Sequence, residues 1–258
     1  MSIPKPYHRF YRMTLPSDEN RWYNSTAYLR DHSYAETPEM YIRSFNLLQK
    51  ELIQLFEYIE PDDRNLSTYS MKIYQLYVRV CLEVEANFTA ILKENKYSRN
   101  PVNWTMDRDY YKINKTHHLS SYKVTYPEWR GIQNEVQPFV DWSGDTYKRL
   151  DWYHIYNKCK HNRYEYLHEA NFGNLLKAFA GLYALLSSQF GGETYQPGDS
   201  YLSMGSSYNY YKGDFGIGDY LIISYPDDWK EDELYDFIWD DELSKESVRF
   251  QEFDFDSI

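Results

Sequence analysis

Three histidines, two arginines, two lysines and an asparagine fall within one stretch of the 258-residue chain: Arg149, His154, Asn157, Lys158, Lys160, His161, Arg163 and His168. An imidazole titrates near neutrality and can give or take a proton as general acid or base. Guanidinium and ammonium groups hold anions through charge-assisted hydrogen bonds. Together these types describe metal-independent acid/base chemistry on an anionic substrate. His154, His161, Arg163 and His168 are the candidate catalytic groups, and Arg149, Asn157, Lys158 and Lys160 the candidate substrate-binding groups.

Other chemistries fit the chain less well. On a helix His154 and His161 would be about 10.5 Å apart along the axis, too far to share one ion, and Lys158 between them would repel it. No His-Glu-x-x-His pattern occurs, so no metal is expected. The Gly-x-Ser-x-Gly turn of serine hydrolases is missing. So are the glycine patterns that cradle nucleotide phosphates, and no cofactor is expected. Asp214-Phe215-Gly216 matches a kinase tripeptide, but neither a glycine-rich loop nor a His-Arg-Asp loop precedes it. The two cysteines, Cys81 and Cys159, have no metal-ligand spacing and read as buried inert thiols.

A helix from about Thr146 to Leu167 would carry these groups. At 100° per residue, Trp152, Tyr156, Cys159, Arg163 and Tyr166 lie within about 40° of one line. His154, Asn157, Lys158, His161, Glu165 and His168 fall opposite. The first stripe is aromatic with one embedded Arg, and the second is either a solvated face or a site. Arg163 is then either a working cation or a structural one stacked on Tyr156 or Trp152.

The elements around that helix are legible from apolar spacing. Thr37-Pro38 opens a helix in which Ile42, Phe45, Leu48, Leu52, Leu55 and Ile59 recur until Pro61. Ser67 is the expected cap of a second, longer helix with a stripe from Ile73 to Ile91, running to about Asn95, and the short loop between the two predicts antiparallel packing. A short helix is expected at Asp107 to Lys115 and an extended piece at Ser121 to Tyr126. Asn171 to Phe190, rich in Leu with small residues between, is the expected central core helix, stopped by Gly191-Gly192. Tyr201 to Tyr211 and Asp219 to Tyr225 read as a β-hairpin turning near Gly213 to Gly218.

The fold class is therefore mainly α: an antiparallel helical bundle with a small C-terminal β-hairpin and an acidic C-terminal segment. The expected divisions are an N-terminal arm at 1–36, a bundle at 37–192, the hairpin at 193–226 and the acidic segment at 227–258. With 29 tyrosines, much of the apolar bulk carries a hydroxyl that burial must satisfy. Of a net charge of -11, residues 227–258 contribute -10, from thirteen Asp or Glu against three Lys or Arg. Leu234, Phe237, Ile238 and Trp239 suggest one amphipathic helix there. Such a segment serves solubility or masks a basic groove. There is no long apolar run and no signal-peptide order at Met1 to Pro6, so a cytoplasmic location without a membrane is expected.

Two Arg-x4-His spacings, Arg149 to His154 and Arg163 to His168, together with the helix order over 37–190, resemble the HEPN superfamily of helical bundles. In many of those proteins an Arg and a His on one helix form a ribonuclease site at a dimer interface. HEPN motifs usually place a polar residue directly after the Arg, whereas Leu150 and Tyr164 follow here. The resemblance implies a His base acting on a 2′-hydroxyl, with Arg or Lys on the scissile phosphate. Two functions follow as expectations. One is a non-catalytic protein-interaction module, acting as a homodimer or with another protein. The alternative is an RNA-binding or RNA-cleaving protein of a bacterial defence or toxin system.

Overall fold

The structure is a computed structural model that describes residues 2–15, 26–195, 214–244 and 248–258. Its helices are α1 (Pro38–Phe56), α2 (Met71–Lys93), α3 (Tyr111–His117), α4 (Asp151–His161), α5 (Arg163–Tyr166), α6 (Phe172–Phe190) and α7 (Trp239–Leu243). Four short strands, β1 (Lys123–Thr125), β2 (Glu135–Val136), β3 (Asp214–Phe215) and β4 (Ile222–Ser224), form one antiparallel sheet in the order β2-β1-β4-β3. The fold is mainly α with bundle-like packing. The hairpin strand expected at Tyr201 to Tyr211 lies outside the described residues.

The long helices follow their apolar spacing. In α1, Ile42, Phe45, Leu48, Leu52 and Leu55 are buried, and in α2 the stripe from Ile73 through Val80, Val84 and Phe88 to Ile91 is buried. Residue after residue of α6 is buried, from Leu175 to Phe190 except Lys177, because α1, α2, α4 and β1 all pack on it. Asn171 caps α6, its side chain accepting from the Asn174 N–H at 3.1 Å.

Two caps differ from expectation. Thr37 sits in the left-handed region (φ 48°) and makes no cap bond, so Pro38 alone sets the first turn of α1. The cap of α2 is Ser70, whose hydroxyl accepts from the Ile73 N–H at 3.2 Å, and not Ser67. The reason is tertiary: the Leu66 and Thr68 carbonyls accept from Gly173 and Phe172 at 2.8 Å, which holds 66–69 out of the helix.

Asp214–Phe215, expected within the turn, form β3, so the hairpin turns between Phe215 and Ile222, and the sheet extends it into the body. Val124 of β1 pairs with Ile223 of β4 on one side and Val136 of β2 on the other. The Tyr183 hydroxyl on α6 donates to the Leu221 carbonyl at 2.9 Å and accepts from the Gly216 N–H at 3.1 Å, fixing the turn. Gly218, at φ 81°, closes that turn against Asn46 and Gln49 of α1.

The N-terminal arm and the acidic segment are woven together. Ile3 and Thr14 both bridge to Tyr235, Tyr7 bridges to Gln251, and Asp254 bridges to Lys96 beyond α2. Leu234, Tyr235 and Asp236 spend their backbone groups on Ile3, Met13 and Leu15. A helix through 234–239 would need those same groups, so the expected amphipathic helix is confined to α7 and two 3₁₀ turns, Glu231–Glu233 and Phe255–Ser257. Tyr235, Trp239, Phe250 and Phe255 point into the core, while Asp227, Glu231, Asp232, Asp236 and Asp240 stay exposed. The arm also delivers Arg9, wholly buried, to Glu94 (2.6 Å), Gln189 (2.9 Å) and the Glu36 carbonyl (2.8 Å). A buried cation with this many acceptors is compensated.

Candidate functional site

The helix that carries the candidate residues is anchored by its aromatic stripe. Trp152, Tyr156 and Cys159 are buried. The Trp152 ring lies on Gly181 of α6, where a Cβ would come within 3.1 Å of it, and its indole N–H donates to the Pro138 carbonyl at 2.9 Å. From α2, the Tyr77 hydroxyl donates to the Trp152 carbonyl, and Glu85 accepts from the Tyr153 hydroxyl at 2.7 Å. Cys81 and Cys159 are free thiols. Burial pushes both up in pKa, and Glu169 adds to the effect at Cys159, so neither is a ready thiolate nucleophile.

The expected helix to Leu167 is broken. At Asn162 the backbone leaves helical geometry (φ -142°, ψ 75°), and α5 starts anew at Arg163. Asn162 caps the new turn, accepting from the Glu165 N–H at 3.4 Å and donating to Glu165 Oε2 at 2.8 Å. The Cys159 thiol donates to the Tyr166 carbonyl at 3.1 Å across the break. Asn competes with the helix for backbone groups, which is why a helix yields here when a tertiary fold permits it.

That break redistributes the candidates. Arg163 leaves the aromatic stripe: it is exposed, with its guanidinium 5.8 Å from the ring centroid of Tyr74 on α2, and is not a buried cation on Tyr156 or Trp152. His154 is half-buried, and its pKa is lowered first by burial and then by the positive charges of Arg149 and Lys158. The helix begins at Asp151 and not near Thr146, so Arg149 lies before it and pairs with Asp151 at 3.4 Å. His168 is exposed, its ring edge-on to Tyr69 at 6.4 Å, and His161 is exposed. The three imidazoles therefore have three different surroundings.

Most of the candidate cations already have partners. Lys158 pairs with both oxygens of Glu169, at 2.5 and 2.7 Å, and lies 4.1 Å from the Tyr166 ring. The Lys160 ammonium lies 5.3 Å from the Tyr156 ring. Asn157 lies against the Tyr153 hydroxyl.

What the break creates is a projecting tip. Lys160, His161, Asn162, Arg163 and Tyr164 are all exposed, and Tyr164 is 100% exposed. Through Arg163 and Tyr74 the tip adjoins an open groove between α1 and α2, lined among others by Glu51, Lys72, Tyr74, Val78 and Arg79. Arg79 donates to Glu51 at 2.6 Å, a bond that holds the Glu51 carboxyl below its ordinary pKa. Sequence spacing carried no sign of this groove, because Tyr74 and Arg163 meet only through the packing of α4 on α2.

Among the described residues no group of three or more His, Cys, Asp or Glu is placed to hold a metal ion, and no helix is long and apolar enough to cross a membrane. Compared with protein-family models, with curated proteins and with solved structures, the chain finds no match in any of the three.

Proposed function

We propose that this chain is a non-catalytic protein-interaction module whose contact surface is the tip from Lys160 to Tyr164 with the adjoining α1/α2 groove, and whose partner presents carboxylates there. The observation that carries this reading is the dispersal of the candidate acid/base groups around an exposed Arg163-Tyr164 pair. General acid/base catalysis needs a base and an anion holder within hydrogen-bond reach of one substrate. Here Lys158 is neutralised by Glu169, and His161 and His168 stand in solvent. Tyr and Arg are by contrast the residues that most often carry binding energy at protein interfaces. Lys160 and Arg163 place two exposed positive charges on the tip of a chain whose overall charge is -11, which favours an acidic partner there.

The RNA reading, with the HEPN-like ribonuclease it would imply, is the competitor, and one experiment separates the two. Wild type, His161→Ala and His168→Ala are incubated with mixed cellular RNA. In parallel, proteins captured from cell extract by wild type are compared with those captured by the Arg163→Ala/Tyr164→Ala variant. The expected result is no cleavage by any chain and a captured protein that the tip variant loses. RNA cleavage by wild type that either His variant abolishes would overturn the proposal.

A further inference from the structure

His118 follows α3 in the left-handed conformation (φ 50°) and is gripped on both ring nitrogens by carboxylates of the acidic segment. Nδ1 lies 2.9 Å from Asp228 Oδ1 and Nε2 lies 3.0 Å from Glu233 Oε1. The imidazole is stacked on Trp229, centroid to centroid 3.9 Å. We propose that His118, Asp228 and Glu233 form a proton-operated latch that fastens residues 227–233 to the body when His118 is an imidazolium and loosens them when it is neutral. The proposal is independent of the function proposed for the tip.

The argument is one of donor counting. An ionised carboxylate only accepts hydrogen bonds, and a neutral imidazole has one N–H and one lone pair. Both contacts can be hydrogen bonds at once only if the ring carries two protons or a carboxyl is protonated. The carboxyls are held ionised. At each, burial raises the pKa, but the hydrogen bonds outweigh it and the pKa falls below the ordinary value. At Asp228 those bonds come from His118 and Ser121, the latter at 2.7 Å. At Glu233 they come from the Lys230 N–H at 3.0 Å and from His118. The second proton therefore belongs to the ring, and its loss turns a lone pair toward a carboxylate.

Arg12 of the arm donates to the Glu233 carbonyl at 2.7 Å and lies 5.3 Å from the Trp229 ring, so it draws Glu233 inward at every pH. His117, the chain neighbour, is wholly buried with its pKa lowered to about 3, so it adds no positive charge near neutrality. The Tyr122 hydroxyl, beside Asp228, is buried and pushed far up in pKa. The latch thus centres on one imidazole held between two carboxylates, and it holds the segment only from its N-terminal side. Tyr235 and the bridges to Ile3 and Thr14 keep the rest in place.

Stacking makes the latch visible, because a protonated imidazole against an indole quenches its emission. The experiment records fluorescence of the full chain from about pH 5.5 to 8.5, with a Trp229→Phe chain subtracted to isolate Trp229. Hydrogen exchange of a peptide covering 226–234 is followed at the same pH values and corrected for the intrinsic rate. Wild type is expected to gain roughly twofold in Trp229 emission and to lose roughly tenfold in protection, about 1.4 kcal/mol of opening, with one shared midpoint. His118→Asn, which tolerates the left-handed backbone, should show neither change. Glu233→Gln offers an amide N–H to the Nε2 lone pair and should keep the peptide protected at pH 8.5. A flat wild-type profile, the same transition in His118→Asn, or loss of protection in Glu233→Gln at pH 8.5 would each overturn the proposal.

Discussion

The Lys158 ammonium sits between the two carboxylate oxygens of Glu169, 2.5 and 2.7 Å away, and so the central cation of the histidine-bearing helix is spent within the molecule. Both side chains are 28% exposed. The Glu169 carbonyl in turn accepts from Asn174 of α6 at 2.9 Å, which ties the end of the tip segment to the core helix. A double-mutant cycle of Lys158→Met and Glu169→Gln, followed by urea denaturation, should return a coupling of about 1 kcal/mol, at the upper end for such half-exposed pairs. A coupling indistinguishable from zero would mean that Lys158 is free to serve a ligand.

Gly181 of α6 lies directly against the Trp152 ring of α4. A methyl there would meet Trp152 Cζ2 at 3.1 Å and Cη2 at 3.3 Å, with Phe139 at 3.6 Å on the other side. Gly181→Ala gains about 1 kcal/mol of helix propensity and loses about 1–3 kcal/mol to overpacking. The expected net is a destabilisation of about 1 kcal/mol, read as a lower Tm. Trp152→Phe in the same chain should relieve the clash, so the double variant should lose less than the two single losses combined. Strict additivity would show that the ring does not set this contact.

His117 links the pH dependence of folding to the core. Its ring is wholly buried, bonded to the Thr116 hydroxyl at 2.8 Å and to the Arg9 carbonyl at 3.1 Å, and it packs 4.3 Å from the Phe10 ring. Burial first, and the positive charge of Arg12 after it, lower its pKa to about 3. The folded pKa lies below the unfolded value of about 6.5, so the native state favours the neutral ring. Its full contribution is present above about pH 6.5 and is lost as pH falls toward 3, by at most about 1.4 kcal/mol per pH unit. Urea denaturation at pH 7.5 and 5 should show wild type losing more stability on acidification than His117→Gln, by roughly 1–2 kcal/mol. Equal losses in the two chains would remove His117 from the pH response.

Periodic apolar residues made the frame readable. The stripes of α1, α2 and α6 lie where their spacing puts them, and the start of α6 near Asn171, the Gly191 stop and the extended piece at Lys123–Thr125 were each legible locally. These features depend on chemistry within a few residues, which the order of side chains states directly. The cap of α2 was not legible in this way, because what displaces Ser67 is hydrogen bonding from Phe172 and Gly173, about a hundred residues along the chain.

The site divided along the same line. The sequence by itself determined that Trp152, Tyr156 and Cys159 would face inward and that acid/base and cationic groups would concentrate between Arg149 and His168. Only the tertiary structure decided which of those groups meet. A helical wheel assumes one unbroken axis, and the capping of α5 by Asn162 ends that axis one residue before Arg163. From there Arg163 is directed to Tyr74, a partner nearly ninety residues away, and Tyr164 is left in solvent. The weave of arm and acidic segment was hidden for the same reason. Backbone pairing between Ile3 and Tyr235 leaves no periodic mark in either stretch, so charge alone could not say that exposed Asp227, Glu231, Asp232, Asp236 and Asp240 sit on a segment anchored by a buried aromatic seam.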